Sequence, residues 1–289
     1  NDMTLFGVGT FANNAANTTT LGRIGAGYVY ADWYPQFTWT TPELGPIGAK
    51  IAIMSASQIH SDAGADATET HAPKVEAQLD YNFNVMDLGV YVWVDGSYQN
   101  VGRTTAEGAQ YLRDTSVDGG ANLTPGGDYD ESIDVGALGF GTKMTFQGLT
   151  FVASGFWNHG LGLQFQGNLN NAYSGSLDDR GKARNFYGGY LQATYDFGQG
   201  TNIGYSYGQN KQVLTGHDAG AILEDYTTAS GNALTTALVN YQESHIGMVW
   251  HNVTDDFRII AEGGVNEMHW YGGGSQEQMY TSVGAFFFW

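Results

Sequence analysis

Alternation of apolar and polar residues with a period of two narrows the fold more than any other feature of this chain. The clearest run is Val75-Glu76-Ala77-Gln78-Leu79-Asp80-Tyr81-Asn82-Phe83, apolar at odd positions and polar at even ones. Leu191, Ala193, Tyr195 and Phe197 repeat it against Gln192, Thr194 and Asp196, as do Ile203, Tyr205 and Tyr207 against Asn202, Gly204 and Ser206. Phe257, Ile259 and Ala261 alternate with Arg258, Ile260 and Glu262, with Ile260 as one apolar intruder. Successive strand side chains point to opposite faces, so these runs are strands with one greasy and one wet side. Helical periodicity is hard to find.

The connections are as patterned as the strands. Very short links occur at 84–87, 147–148, 198–200 and 252–256, and long stretches rich in Gly, Asp, Asn and Ser occupy 58–72, 101–131, 164–184 and 214–240. Short and long connections alternate strictly. A soluble sandwich has no reason to place its long loops at one end, whereas a membrane barrel has short turns below and long loops above. The expected fold is therefore all-β: a transmembrane antiparallel up-and-down β-barrel of about 12 strands, with 14 or 16 as alternatives, in one domain spanning 1–289. The strands are expected near 3–11, 35–41, 47–57, 74–84, 88–100, 132–147, 149–163, 186–197, 201–213, 241–251, 257–270 and 277–289. The stretch Leu21 to Asp32 has three readings: an extension of the second strand, a loop folded into the bore, or a strand of its own. Closure follows from physics, because an unpaired backbone group in hydrocarbon costs roughly 2–7 kcal/mol and an open edge exposes a row of them.

Composition excludes several classes. No uninterrupted apolar run approaches the length of a transmembrane helix. The formal charge of -18 makes nucleic acid a poor partner. With no cysteine, disulfides, thiolate metal sites and thiol nucleophiles are absent. The chain opens at Asn1-Asp2-Met3 without a signal peptide and is read as a mature, processed product.

Three short segments carry a family resemblance. The end, Tyr280-Thr281-Ser282-Val283-Gly284-Ala285-Phe286-Phe287-Phe288-Trp289, places Val283, Ala285, Phe287 and Trp289 on one face and resembles the insertion signature of Gram-negative barrels. Met3-Thr4-Leu5-Phe6-Gly7-Val8 resembles the first strand of general porins, and Phe37-Thr38-Trp39-Thr40-Thr41-Pro42-Glu43-Leu44-Gly45 their strand-to-turn element. The resemblance implies a porin of the cell outer membrane of a Gram-negative bacterium. It also implies a homotrimer, contacts with outer-membrane lipid and lipopolysaccharide, and insertion by the barrel-assembly machinery. General porins have more strands ahead of their constriction loop than this chain can hold before Gln36, so that family's constriction residues are not carried over.

Catalytic and metal-binding arrangements are weighed against plainer readings. A barrel phospholipase needs a clustered nucleophile and base; His245 and His251, His159 and His269 are scattered and read as structural. Asp178-Asp179 and His217-Asp218 have the vocabulary of a rim protease but read as solvated loop acids, and no enzymatic activity is expected. Asp62 and Asp66, and Asp128 and Asp130, group oxygen ligands suited to calcium, without the twelve-residue calcium-loop pattern. Solvated acids are the plainer reading, and a loop-bound calcium is the one cofactor considered.

The expected pore lining is Glu76, Gln78, Asp80, Asn82, Asp95, Lys143, Asp196, Arg258 and Glu262, joined by Ser97, Gln99, Gln192, Asn202, Ser206 and Asn266. About half of the 29 acidic residues fall outside the long loops, so lumen and mouth are both expected to be acidic and the channel cation-preferring. Aromatics beside turns and loops, such as Trp33, Tyr34, Phe37 and Trp39, Phe156 and Trp157, and Trp270 and Tyr271, are expected to form interfacial girdles. The resulting expectation is a passive, water-filled channel for ions and small hydrophilic solutes, with a substrate-specific channel, a structural or scaffold barrel and a barrel enzyme as the alternatives.

Overall fold

The computed structural model describes residues 22–30, 34–42, 45–60, 67–102, 132–164, 175–178, 181–220 and 238–288. Eleven strands form one antiparallel sheet in strict chain order: β1 (Gln36–Thr40), β2 (Ile47–Met54), β3 (Lys74–Val85), β4 (Leu88–Gly102), β5 (Ser132–Phe146), β6 (Leu149–His159), β7 (Asn185–Asp196), β8 (Thr201–Val213), β9 (Val239–Thr254), β10 (Phe257–Trp270) and β11 (Ser275–Phe287). Each matches one expected strand. The twelfth, at 3–11, lies outside the described residues, and β1 and β11 are the two margins of the described sheet. No helix among the described residues is long and apolar enough to cross a membrane.

Local chemistry accounts for the hairpins. Gln147 and Gly148, the two residues between β5 and β6, have φ of 44° and 85°. Two left-handed residues make the tight turn whose twist matches the strands it joins. The turns after β1, β3, β5, β7 and β9 lie at one end of the sheet, and the long connections at the other. One connection breaks the expected alternation. The link from β10 to β11 sits at the long-loop end yet occupies only 271–274.

The two faces of the sheet differ sharply. Leu191 is 49% exposed and its neighbour Gln192 is 2% exposed. Phe37, Ile51, Leu79, Phe140, Ile203 and Val283 share the outer face with Leu191, all exposed. The inner face buries Gln99, Gln192, Ser206, Asn210, Gln242 and Asn266. A soluble sheet would bury the first set and hydrate the second. Here the pattern is inverted, the arrangement that suits hydrocarbon outside and water inside.

Residues 22–30 lie against the inner face, which selects the loop-in-the-bore reading of that stretch. Ala26 packs on Ile246, Met248, Trp250 and Ile260 of β9 and β10. On the other side of the segment, Gly27, Tyr28 and Val29 face residues of β1 to β6 across a cavity. The sheet therefore curls around this segment. The long-loop end is packed by a second apolar cluster, in which Ile59, Ala67, Leu161 and Leu177 of the connections cover Val101, Ile133 and Val135.

Candidate functional site: the inner face and its crossing segment

Polar side chains of the wall hold the crossing segment in place. Arg23, fully buried, donates from Nε to Ser206 Oγ at 2.8 Å and from an Nη to the carbonyl oxygen of Ser244 at 3.2 Å. Asn210 Oδ1 accepts from the Gly27 amide at 2.8 Å, and its Nδ2 donates to the carbonyls of Tyr28 and Leu163. The Tyr30 amide donates to the Gln164 carbonyl at 2.7 Å. Gly25 takes a φ of 83°, and a Cβ there would press on Gln164 and Gln242. A backbone this close to a wall of amides needs glycine.

Between the segment and β1 to β6 lies a cavity of about 480 Å³, lined on the wall side by Lys50, Glu76, Gln78, Asp95, Ser97 and Ser154 among others. Two further cavities open toward the turn end. One, of about 500 Å³, is lined by Lys143, Gln192, Asp196, Asn202 and Trp250, and the other, of about 460 Å³, by Asn82, Tyr91, Lys143 and Thr145.

All nine residues expected to line a pore lie on the inner face. Glu76, Gln78 and Asp95 border the upper cavity; Asn82, Lys143 and Asp196 border the lower ones. Asp80 accepts from Gln78 Nε2 at 3.2 Å and leans over Gly48, where a Cβ would collide with its carboxylate. Glu262 is buried and accepts from the Tyr280 hydroxyl at 3.2 Å, and Arg258, near the turn end, donates to Asn252 at 2.7 Å. Of the insertion signature, Val283, Ala285 and Phe287 share the exposed outer face, and Trp289 lies outside the described residues. The calcium candidates Asp62, Asp66, Asp128 and Asp130 also lie outside the described residues.

The acidic lumen expected from composition is not what the described lining presents. Glu76, Asp80, Asp95, Asp196 and Glu262 face inward, but so do Lys50, Lys74, Lys143 and Arg258, and the crossing segment adds Arg23. With Asp87, which also lines a lower cavity, six acids stand against these five cations among the described residues, a small acidic excess. Other strand acids point outward instead: Asp134 receives Tyr98 on the outer face, and Glu243 receives Tyr207 and Gln209. Glu243, Glu267 and His269 bring their ligand atoms within 4.8 Å of one another, again on the outer wall rather than in the bore.

Several expectations about loop and rim residues are corrected. Asp178 and Asp218 are buried, not solvated. Arg184, itself buried, donates twice to Asp218, at 2.9 and 2.7 Å. Thr215 donates from its hydroxyl to Asp178 at 2.7 Å, and Thr215 and Asp218 cap one another's amides at the start of a short helix, 216–220. Burial alone would raise the Asp218 pKa, but Arg184 and Thr215 outweigh it and hold the carboxyl below the ordinary aspartate value. Burial pushes the nearby Tyr271 hydroxyl up; it donates to the Gln212 carbonyl. Of the aromatics expected at the girdles, Phe37, Trp39 and Trp157 face outward, while Phe156 and Trp270 pack inside. Trp33 lies outside the described residues. His159, His245, His251 and His269 are paired with Asn185, Tyr205, Thr201 and Glu267.

No protein-family model matches the chain, and neither does any curated protein. Solved structures do match by shape. The outer membrane channel DcaP of Acinetobacter baumannii aligns with 96% of this chain and 68% of its own, with a TM-score of 0.64 and 10% sequence identity. The anion-selective porin from Comamonas acidovorans aligns with 91% of this chain and 62% of its own, at a TM-score of 0.47 and 10% identity. The likeness to the first shows the fold: a single antiparallel up-and-down sheet arranged as in that structure.

Proposed function

We propose that this chain is a porin of a Gram-negative outer membrane, a passive channel for ions and small hydrophilic solutes with no catalytic step. The observation that carries the reading is the inversion of the two faces, with exposed Leu191 and buried Gln192 as its sharpest instance. An apolar exterior gains from acyl chains, and a polar interior with cavities gains from water. The likeness in fold to an outer membrane channel supports the same conclusion.

The crossing segment sets the route. Residues 22–30 occupy the side of the lumen against β8 and β9, so solutes pass between that segment and β1 to β6, along the wall bearing Lys50, Glu76 and Asp95. With only one more acid than cation on the described lining, the strong cation preference expected from a net charge of -18 has no support there, and selectivity between ions is weak. Lipopolysaccharide contact, a homotrimer and delivery by the barrel-assembly machinery belong to the same proposal.

The decisive experiment is planar-bilayer recording of the refolded chain. Stepwise conductance in KCl is expected, with a reversal potential close to zero under a salt gradient. A protein that inserts and never conducts would overturn the channel reading.

A further inference from the structure

A row of glutamates crosses the outer wall near its long-loop end. Glu243 of β9 is the register partner of Glu267 of β10, and Glu267 is in turn the register partner of Glu277 of β11. Like charges directly opposite one another destabilise a sheet, and charges at the edge of a hydrocarbon layer are screened less than charges in open water. No ion pair among the described residues brings Lys or Arg to any of the three. Lys211, on the same face of β8, stands opposite Tyr241 instead.

His269, two residues on from Glu267 and on the same face, brings Nε2 to 3.1 Å from its Oε2. Protonated, it offers one positive charge to three carboxylates. Unprotonated, it offers a donor nitrogen within 4.8 Å of carboxylate oxygens of both Glu243 and Glu267. Ligand atoms that share one Zn²⁺ lie about 3–4 Å apart, so small rotations of these side chains bring all three to that spacing. Groups outside the triad hold its members in place. Tyr207 and Gln209 of β8 donate to one oxygen of Glu243 at 2.8 and 2.9 Å, and the His269 ring stacks on Tyr241 with centroids 4.2 Å apart. Contacts of this kind orient the ligands of a metal site. Glu267 and His269 both remain partly accessible from outside.

We infer that Glu243, Glu267 and His269 form a binding site for a divalent transition-metal ion on the outer wall, tying β9 to β10 below their loops. One imidazole and two carboxylates favour ions of the Zn²⁺ type over Ca²⁺ and Mg²⁺, which take oxygen ligands. The ion also supplies the positive charge that the glutamate row needs. The plainer role is a surface hydrogen-bond network. That role accounts for Glu243 and its two donors, but not for a second and a third glutamate set in register beside it. The site stands outside the bore and does not depend on conduction.

The test is isothermal titration calorimetry of the refolded full chain in detergent, with ZnCl₂ as the probe and CaCl₂ as the comparison. His71→Ala serves as the control, since His71 and Glu69 form an exposed pair on the connection between β2 and β3. Zn²⁺ is expected to bind more tightly than Ca²⁺ by at least roughly tenfold. His269→Ala is expected to weaken the tightest Zn²⁺ site by roughly tenfold or more, and His71→Ala to leave it unchanged. Zn²⁺ bound no more tightly than Ca²⁺, an undiminished tightest site in His269→Ala, or a site lost in His71→Ala instead would overturn the metal site and leave the channel reading standing. If His269→Ala does not refold, Glu267→Gln carries the same expectation, a weakened Zn²⁺ site.

Discussion

Arg23 Nε lies 2.8 Å from Ser206 Oγ, joining a segment that precedes β1 to the distant strand β8. The side chain is wholly buried and also donates to the Ser244 carbonyl on β9. Hydrogen bonds to a charged group contribute about 1.5–3 kcal/mol each. Removing two, some 3 kcal/mol at the least, shifts the balance between seated and released segment by roughly a hundredfold. Arg23→Ala is therefore expected to raise single-channel conductance and current noise. A variant with wild-type conductance would show that residues 22–30 do not restrict the path.

Arg184 and Asp218 form a buried two-point ion pair that ties the end of one long connection to the start of another. Breaking one partner of such a pair costs about 3–5 kcal/mol, because the other charge is left buried. Arg184→Ala is expected to lower the midpoint of urea unfolding and to expose this end of the barrel to protease. The double change Arg184→Met with Asp218→Leu is expected to recover most of the loss, short of the roughly 1 kcal/mol cap that Asp218 gives Thr215.

The same pair predicts an acid limit. Arg184 and Thr215 hold the folded Asp218 pKa below its ordinary 3.8. A depressed carboxyl contributes stability that is complete above the ordinary value and is lost as pH falls through the folded value. Protease resistance of the 175–220 region should be flat from neutral pH down to about pH 5 and should decline only in stronger acid. A decline centred near neutral pH would mean that Asp218 does not anchor this region.

Facing can be tested on adjacent residues. Leu79 is 51% exposed on the outer face, and Gln78 borders the inner cavity. Lysine at a lipid-facing midplane position costs about 2–4 kcal/mol, whereas a wet inner wall tolerates it. Leu79→Lys is expected to destabilise the folded barrel in lipid vesicles by that amount, and Gln78→Lys by less than about 1 kcal/mol. Equal penalties would remove the distinction between the faces.

Strands were legible in the sequence because alternation is a local property, and all eleven described strands fall where it places them. Facing was legible for the same reason, down to Glu76 and Gln192. Phe156 and Trp270 were misassigned because nearness to a loop was given more weight than parity. Both sit at even positions of strands whose even residues, Asn158 and Asn266 among them, are buried on the inner face. Ile260, the intruder in the alternation, was a true signal: with Trp250 it forms the inner apolar seat for Ala26. Asp178, Arg184 and Asp218 could not be paired in advance, since their partnership depends on how two long connections fold over one another. Nor does composition reveal which charges face inward, and the net of -18 is far from the near-even mixture on the described lining.

The order of the chain gives the crossing segment a consequence for biogenesis. Residues 22–30 come before β1, yet their seat is built from Ser206, Asn210 and Ser244, the last of these 221 positions beyond Arg23. Contacts so distant in sequence form late, after the strands between them have paired. The nascent cylinder therefore passes through a wider, unobstructed stage, and narrowing is the closing event of its maturation.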